Sequence, residues 1–223
     1  MTVAALFQSI EKGDLGAAEA LLAADPLLAD GRLENGVSLL LMAVYYGQAA
    51  IAGAIRAQRE SLDIWEAAAL GEVAALSALL TAEPELLNAV APDGFYPLGL
   101  AGYFGQQEAF RWLLAQGADR DQVAENGMRV RPVHTIAAQR DPQLALALMT
   151  DLLTYGAAVN VSQHGGWTPL HQAADHGNLA LVQLLLAHGA DPAAQSEAGQ
   201  TPIEMAAAKE FSAVVELLNS HAG

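Results

Sequence analysis

Residues 166–198 read GWTPLHQAADHGNLALVQLLLAHGADPAAQSEA, and this stretch decides the fold. The dipeptide Thr168-Pro169 predicts a helix start, because the Thr hydroxyl can accept from first-turn N–H groups and Pro at the first helical position loses no hydrogen bond. Gly177 ends this helix, and a second helix with a broad Leu- and Val-rich face follows. Gly189 closes the second helix in the left-handed conformation that glycine adopts at low cost. The stretch therefore predicts two short helices followed by a turn.

The same unit begins again at positions 199–202, Gly-Gln-Thr-Pro, so that Thr201 repeats Thr168. The spacing of these two residues matches the ankyrin period of about 33 residues, and the tetrad Thr-Pro-Leu-His at 168–171 also resembles the ankyrin repeat. The resemblance implies an all-α fold, an ankyrin-repeat solenoid of about seven helix–turn–helix units with short hairpin fingers. It also implies binding of another protein and names no particular partner.

Weaker copies of the unit are recognised by a helix start, a glycine between the two helices and a closing glycine. One copy runs from Tyr96-Pro97 to Gly117, and another runs from Arg131-Pro132 to Gly156. Three more begin upstream at Leu6, Ser38 and Asp63. We therefore predict a single ankyrin-repeat domain over residues 1–223, with its first and last units as caps. The predicted units span approximately 2–30, 36–58, 62–88, 94–119, 129–160, 166–193 and 199–221.

The predicted unit at 129–160 departs from the pattern in two ways. From its proline to its closing glycine it extends over positions 132–156, which is longer than the corresponding segment 169–189. We expect the insertion in the Arg-Asp-Pro-Gln segment 140–143 between its helices. Arg131 also replaces the capping Thr, so this helix start is expected to be weaker.

A second, longer periodicity relates the first quarter of the chain to the second. Gly13, Leu22, Pro26, Gly36 and Gly47 recur with one constant offset as Gly71, Leu80, Pro84, Gly94 and Gly105. Such a match indicates duplication of a block of two units.

Four dipeptides suited to tight turns precede predicted helix starts, as hairpin fingers require. They are Asn35-Gly36, Asp93-Gly94, Asn126-Gly127 and Gly165-Gly166. The connection at residues 58–62 lacks such a turn, and the helix that follows it starts with the capping-box pattern Asp63-x-x-Glu66. We therefore predict that a finger is missing between the second and third units and that the binding face is interrupted or bent there.

The chain of 223 residues carries a formal net charge of −15 and contains no cysteine. The charge argues against nucleic-acid binding, which depends on Lys and Arg neutralising phosphates. The absence of cysteine leaves no disulfide or zinc–thiolate site and favours a reducing compartment. No signal-peptide pattern begins the chain, and no run approaches the roughly 20 apolar residues that cross a bilayer. We expect a cytoplasmic monomer that binds neither nucleic acid nor membranes.

Catalytic and cofactor-binding motifs are absent from the sequence, and its carboxylates are dispersed. His134 and His171 stand at the fourth position of a Pro-containing helix start, where the resemblance implies structural hydrogen bonds to the turn. His164, His176 and His188 are evenly spaced along the chain, too far apart in sequence to suit one metal site. We therefore expect no enzymatic activity, no metal and no cofactor.

The resemblance implies that partner contacts come from the concave face, at the two positions before the mid-unit glycine and at the finger tips. The paired positions hold Tyr45-Tyr46, Ala69-Leu70, Tyr103-Phe104, Ala138-Gln139, Asp175-His176 and Ala208-Lys209, and the finger positions hold Val37, Phe95 and Trp167. Six of the 13 aromatic residues fall here, and protein interfaces are enriched in aromatic side chains. The alternative is that these rings cover neighbouring helices or fill the space left by the missing finger.

Arginine is unevenly distributed as well. Half of the arginines lie in the short segment 120–140, namely Arg120, Arg129, Arg131 and Arg140. They can bind an acidic patch on a partner or neutralise the acidic residues near them. The predicted partner-binding residues are Tyr45, Tyr46, Leu70, Phe95, Tyr103, Phe104, Arg129, Arg131, Trp167 and His176.

These observations favour a non-catalytic protein that binds a protein partner through its concave face and finger tips. The second hypothesis is an acidic inhibitory or regulatory subunit, of the immunity type, that masks a basic enzyme surface and associates under electrostatic steering. The third is an enzyme or small-ligand binder that uses a groove between Tyr45 and Tyr103. Salt dependence of association separates the first two hypotheses, and a survey of metabolite binding tests the third.

Overall fold

The computed structural model describes residues 2–221, which fold into fourteen α-helices without a β-strand. The helices are α1 (Val3–Lys12), α2 (Leu15–Ala24), α3 (Leu39–Tyr45), α4 (Ala49–Ala57), α5 (Ile64–Leu70), α6 (Val73–Ala82), α7 (Pro97–Tyr103), α8 (Gln107–Ala115), α9 (Pro132–Ala137), α10 (Pro142–Thr154), α11 (Pro169–Asp175), α12 (Leu179–Ala187), α13 (Pro202–Ala208) and α14 (Ser212–Asn219). Short 3-10 helices cover Pro26–Asp30, Pro84–Asn88 and His164–Gly166. The predicted all-α solenoid is confirmed. None of the helices in residues 2–221 combines the length and apolar character needed to span a membrane.

The helices form two layers. The odd-numbered helices pack side by side in chain order, and the even-numbered helices form a second layer against them. Between the layers runs a continuous apolar strip that extends from Leu6 in α1 through Phe110 in α8 to Leu218 in α14. The pair α4 and α6 is an exception within the second layer, because these two neighbours barely approach each other.

Local sequence explains where the short helices begin and end. The side chains of Ser38 and Asp63 accept hydrogen bonds from the N–H groups of Leu41 and Glu66, at 3.1 and 2.8 Å. These bonds satisfy donors that the first helical turn leaves without a partner. Gly13 follows the first helix of its pair with φ of 67°, a backbone conformation that costs glycine little.

Five hairpin turns, which we call fingers, project from the solenoid at residues 33–37, 91–95, 124–130, 163–167 and 196–200. Each finger is closed by a backbone hydrogen bond between its ends, as from Ala91 N–H to the Phe95 oxygen at 2.7 Å. Neighbouring fingers are also joined, because Glu125 N–H donates to the Gly94 oxygen at 2.8 Å. The last four fingers therefore form a hydrogen-bonded row.

The finger predicted to be missing is absent, since residues 58–62 connect α4 to α5 without a hairpin. The fingers on either side of the gap touch each other instead. A Cβ atom built on Gly36 would lie 3.2 Å from the Pro92 Cβ atom. One helix pair, α5 with α6, therefore sits in the stack without a finger of its own.

Charged side chains occupy the place of the missing finger. The Arg59 side chain is only 7% exposed and donates from Nη1 to the fully buried carboxylate of Glu66. The other Glu66 oxygen accepts from the Asp63 N–H at 2.9 Å, so that the capping box and the ion pair share one carboxylate. Arg59 Nε also lies 3.0 Å from Asp30, although without hydrogen-bond geometry. Beside this network, Arg56 and Glu72 form a partly exposed ion pair with two hydrogen bonds at 2.8 and 3.0 Å.

The first testable prediction compares Glu66→Gln with Glu72→Gln. We expect Glu66→Gln to lower the free energy of unfolding by roughly 3 kcal/mol, because it leaves the buried Arg59 charge without its main partner. Glu72→Gln should cost less than about 1 kcal/mol, because its ion pair is open to solvent. Urea titrations of the two variants measure both values, and equal losses would contradict a buried ionic link at this position.

The extra residues of the predicted 129–160 unit do not lie where the sequence suggested. The segment from Pro132 to Asp141, which caps the second helix, has the same length as Pro169 to Asn178 in the next unit, and the second helix, α10, has 13 residues where α12 has 9. The expectation of an insertion between the helices, at 140–143, is therefore wrong. Asp141 caps α10 by accepting from the N–H groups of Gln143 and Leu144, so that the Asp-Pro pair starts a helix instead of extending a loop.

Two buried histidines join successive units. Nδ1 of His134 accepts from the Arg131 N–H at 3.1 Å, and its Nε2 lies 3.1 Å from the carbonyl oxygen of Val161 in the next unit. His171 repeats this arrangement with Thr168 and Gln200. One neutral tautomer, with the proton on Nε2, satisfies both contacts. Burial lowers the pKa of His134 to about 4 and also lowers the pKa of His171.

The second prediction follows from His134. Between pH 6.5 and about 4 the unfolded chain binds a proton at this residue that the folded chain does not bind. Stability is therefore complete above pH 6.5 and falls as the pH drops, by about 1.4 kcal/mol per unit. His134→Gln keeps a donor and an acceptor but does not titrate. We expect the loss of unfolding free energy between pH 7 and pH 5 to shrink by roughly 2 kcal/mol in this variant. Parallel stability curves for the two proteins would refute this assignment.

Candidate protein-binding groove

The structure brings together three of the predicted aromatic residues, Tyr45, Tyr103 and Phe104. The Tyr45 ring centroid lies 5.0 Å from that of Phe104 and 6.1 Å from that of Tyr103. Tyr103 and Phe104 meet edge to face at 5.0 Å. These distances are typical of favourable aromatic pairs. We call these three residues the aromatic cluster.

The aromatic cluster joins helix α3 to helix α7 across the intervening α5. This contact is possible because α5 places Ala69, which is fully buried, beneath the rings. Tyr45 and Phe104 pack on a small apolar group formed by Val37, Leu41 and Ala69. Val37 itself is only 2% exposed, so its assignment to the contact surface is wrong. Because the next finger is missing, no finger covers the apolar residues Leu41 of α3 and Ala69 of α5. Val37 therefore packs inward against them.

Exposure differs within the cluster. Phe104 and Tyr45 are partly buried, as expected for side chains that cover the gap left by the missing finger. Tyr103 remains 47% exposed and presents its ring to solvent. Tyr45 and Phe104 therefore support the cluster, and Tyr103 is its accessible ring.

The hydroxyl of Tyr45 ties the cluster to a finger. It donates to Asp93 Oδ2 at 2.8 Å, and Oδ1 of the same carboxylate is 3.2 Å from the Phe95 N–H. Burial, and secondly the Asp93 charge, raise the pKa of Tyr45 well above its usual range. Tyr45 is therefore protonated at all ordinary pH values and holds a fixed orientation.

A groove of about 470 Å³ runs along the aromatic cluster and is lined on its other side by Gln139, Arg140 and Asp141. It continues into a second hollow of about 340 Å³, which Gln139 and Arg140 also line. We call the first part the aromatic half of the groove. We call the second part the polar half, because most of the residues that line it are polar, including His176 and Lys209, although Pro142 and Phe211 line it as well. Both halves lie at the ends of odd-numbered helices, where the sequence placed the contact positions.

Gln139 lines both halves of the groove, and its side chain contacts the backbone of α7. Its side-chain nitrogen lies 2.6 Å from the carbonyl oxygens of Gly102 and Tyr103, at the end of α7. These carbonyls have no partner within the helix, so the contact also fixes the position of the Tyr103 backbone.

Other predicted site residues lie outside the groove. Tyr46 is 44% exposed but points toward the first unit, where it meets Phe7 edge to face at 6.0 Å. Leu70 lines a different hollow, of about 320 Å³, beside α4. Trp167 lies near His171, with 6.3 Å between ring centroids.

The arginine-bearing finger also stands apart from the groove. Arg129 is exposed at its tip and has a φ of 51°, which is unusual for a residue other than glycine. Arg131 is half-buried at the base and, together with Phe95, lines a cavity of about 10 Å³. Space of that size holds about one water molecule.

Gln139, Arg140, Asp141 and Lys209 line the groove but are not among the predicted partner-binding residues, although Arg140 is one of the arginines that the sequence offered for an acidic patch. Gln139 and Lys209 occupy the same paired positions as the aromatic residues, so the positional pattern contained them. They are missing from the prediction because it favours aromatic residues at these positions. Among residues 2–221, no three His, Asp or Glu side chains are grouped so that they could hold a metal ion.

A family model described as ankyrin repeats, in three copies, matches residues 133–223. These residues are therefore similar to ankyrin repeats. The match covers the last three helix pairs, from α9 to α14, and the helix pairs before it follow the same two-layer arrangement. Comparison with curated proteins gives no significant match. The family match covers the polar half of the groove and the side of the aromatic half that Gln139, Arg140 and Asp141 line, and the aromatic cluster lies upstream of it.

The third prediction separates supporting from accessible rings. Phe104→Ala should lower the free energy of unfolding by about 2 kcal/mol, because it removes a half-buried ring from the cover over α5. Tyr103→Ala should cost less than about 1 kcal/mol, because much of its ring already faces solvent. Chemical denaturation distinguishes the two. Equal destabilisation would mean that Tyr103 also serves mainly to hold the solenoid together.

Proposed function

We propose that this chain is a non-catalytic, monomeric binding protein of the cytoplasm that holds a protein partner in the groove along the aromatic cluster. Ankyrin repeats are generally protein–protein interaction modules. The observation that carries the proposal is Tyr103, an exposed ring that is supported by two other rings and borders a groove of about 470 Å³. Aromatic residues at the centre of an interface commonly contribute most of the binding energy.

Preorganisation supports this assignment. Tyr45 is held by Asp93, and the Tyr103 backbone is held by Gln139. A partner that docks on Tyr103 would therefore not have to order the surface beneath it. Less conformational entropy is lost on binding when the site is rigid beforehand.

We further propose that the finger row forms the rim of the interface. Its tip at Gly127-Met128-Arg129 exposes Met128 by 58%, and Arg129 is exposed beside it. Trp167 lies one finger further along. Phe95 and Arg131, at the finger bases, and Tyr46 and Leu70, outside the groove, would contribute less. Rim contacts typically add specificity and exclude water more than they add affinity.

The acidic inhibitory role is the second candidate, and one observation favours it. The fingers carry exposed carboxylates at Glu34, Glu125 and Glu197, and none of the three has a Lys or Arg partner within 4.0 Å in the described part of the chain. A basic enzyme surface would fit this row. Association with such a partner would depend steeply on ionic strength.

The fourth prediction tests the proposed function with Tyr103→Ala. The immobilised wild-type chain and its variants are used to capture proteins from lysate of the source cells, at low and at high salt. We expect Tyr103→Ala to lose the captured partner, because truncation of a hot-spot aromatic costs about 2 kcal/mol or more of binding energy. Its melting temperature should stay close to that of the wild type.

Tyr155→Ala is the matched control. Tyr155 is 46% exposed, almost as much as Tyr103, but follows α10 outside the groove. A partner that is lost equally from both variants, or from neither, would rule out the aromatic cluster as the binding site. A partner that binds independently of Tyr103 but dissociates at high salt would instead support the acidic inhibitory role.

A further inference from the structure

We infer that the polar half of the groove receives a carboxylate side chain, so that the partner segment carries an Asp or Glu at a fixed distance from an aromatic or aliphatic residue. This inference rests on the proposed function and adds the chemistry of the partner. It runs against the net charge of −15, which taken alone would predict a basic partner. The local arrangement of charges is what supports it.

Most of the basic side chains are already paired within the chain. Within residues 2–221, six of the ten Lys and Arg residues lie within 4.0 Å of a carboxylate, namely Arg32, Arg56, Arg59, Arg111, Arg120 and Lys209. Within the described part of the chain Arg140 has no such partner, is exposed, and lines both halves of the groove. A planar guanidinium in this position can bind a carboxylate through two parallel hydrogen bonds.

The acidic residues beside Arg140 are occupied by other contacts. Asp141 accepts from the N–H groups of Gln143 and Leu144 at 2.9 and 3.3 Å, and these bonds hold its carboxylate at the start of α10. Asp175 is paired with Lys209 at 2.8 Å. In the described part of the chain, neither carboxylate forms an ion pair with Arg140 within 4.0 Å.

Further donors line the same hollow. The Lys209 ammonium group has three N–H donors, and its ion pair with Asp175 leaves donors available for a second carboxylate. The His176 ring also lines this polar half, whereas the Gln139 side-chain nitrogen already contacts two backbone oxygens at the end of α7. A carboxylate that enters between Arg140 and Lys209 would meet donors on both sides. The aromatic half, which begins on the other side of Arg140, offers ring surface to an apolar neighbour of that carboxylate.

The fifth prediction uses a display library of short random peptides, selected on the intact wild-type chain. We expect selected peptides to share an Asp or Glu at a fixed distance from an aromatic or aliphatic residue. Arg140→Glu should weaken the binding of these peptides about tenfold or more, because it removes a charge-assisted hydrogen bond and adds repulsion. Fluorescence polarisation with synthetic copies of the selected peptides measures the change.

Arg120→Glu is the matched control, because it changes the net charge equally at an exposed position outside the groove, where the nearest carboxylate is Asp121 at 3.8 Å. It should leave peptide affinity nearly unchanged. Lys209→Gln gives a second, milder variant at the polar half and should weaken the same peptides. Thermal melts of all variants confirm that they are folded.

The possible outcomes are distinct. Selected peptides without acidic enrichment, equal affinity for Arg140→Glu and wild type, or equal weakening by Arg120→Glu would each overturn the inference. Failure to select any peptide on the wild-type chain would overturn it as well. Peptides that depend on Tyr103 but not on Arg140 would refute the carboxylate site and leave the proposed function standing. Peptides that depend on neither residue would contradict both.

Discussion

The short connection at residues 58–62 is the constraint on which much of this molecule depends. It leads from the end of α4 to the cap of α5, and no hairpin forms within it. In place of a finger, the Arg59 side chain and the Asp63 N–H are both bonded to the buried Glu66 carboxylate. The fingers on either side lie close together, with Gly36 against Pro92. The absence of one finger therefore shapes both the row of fingers and the surface beneath it.

The aromatic cluster is a consequence of that gap combined with the recurrence of tyrosine at equivalent positions of the chain. Tyr45 and Tyr103 occupy equivalent positions in the two copies of the duplicated block. Equivalent residues two units apart would ordinarily be separated by the side chains of the unit between them. Here that unit contributes Ala69, and the rings meet above it. The hydrogen bond from Tyr45 to Asp93 then anchors the cluster to the next finger.

Most of the fold could be predicted from the sequence, because helix caps and turn glycines act locally. Asp63, with its capping box, and the missing finger are examples. The extended α10 was missed because Asp141-Pro142 was interpreted as an inserted loop, although the same pair is a strong helix start. The positions of the aromatic residues were predictable as well. Their contacts were not, since the distance between Tyr45 and Phe104 depends on how closely three units stack, which no local pattern encodes.

The net charge of a protein acts on a partner at a distance, whereas a charged side chain in the interface acts by direct contact. In this chain the two have opposite signs, because the net charge is negative and Arg140 is positive. At physiological ionic strength the field of an exposed charge is screened over about 8 Å, so that distant carboxylates mainly affect how often partners meet. A guanidinium in direct contact with a bound carboxylate is little affected by that screening. Arg140 lies beside an apolar surface that would exclude water from such a contact. An acidic chain can therefore select an acidic segment, because specificity is decided by the few groups that touch and not by the sum of all charges.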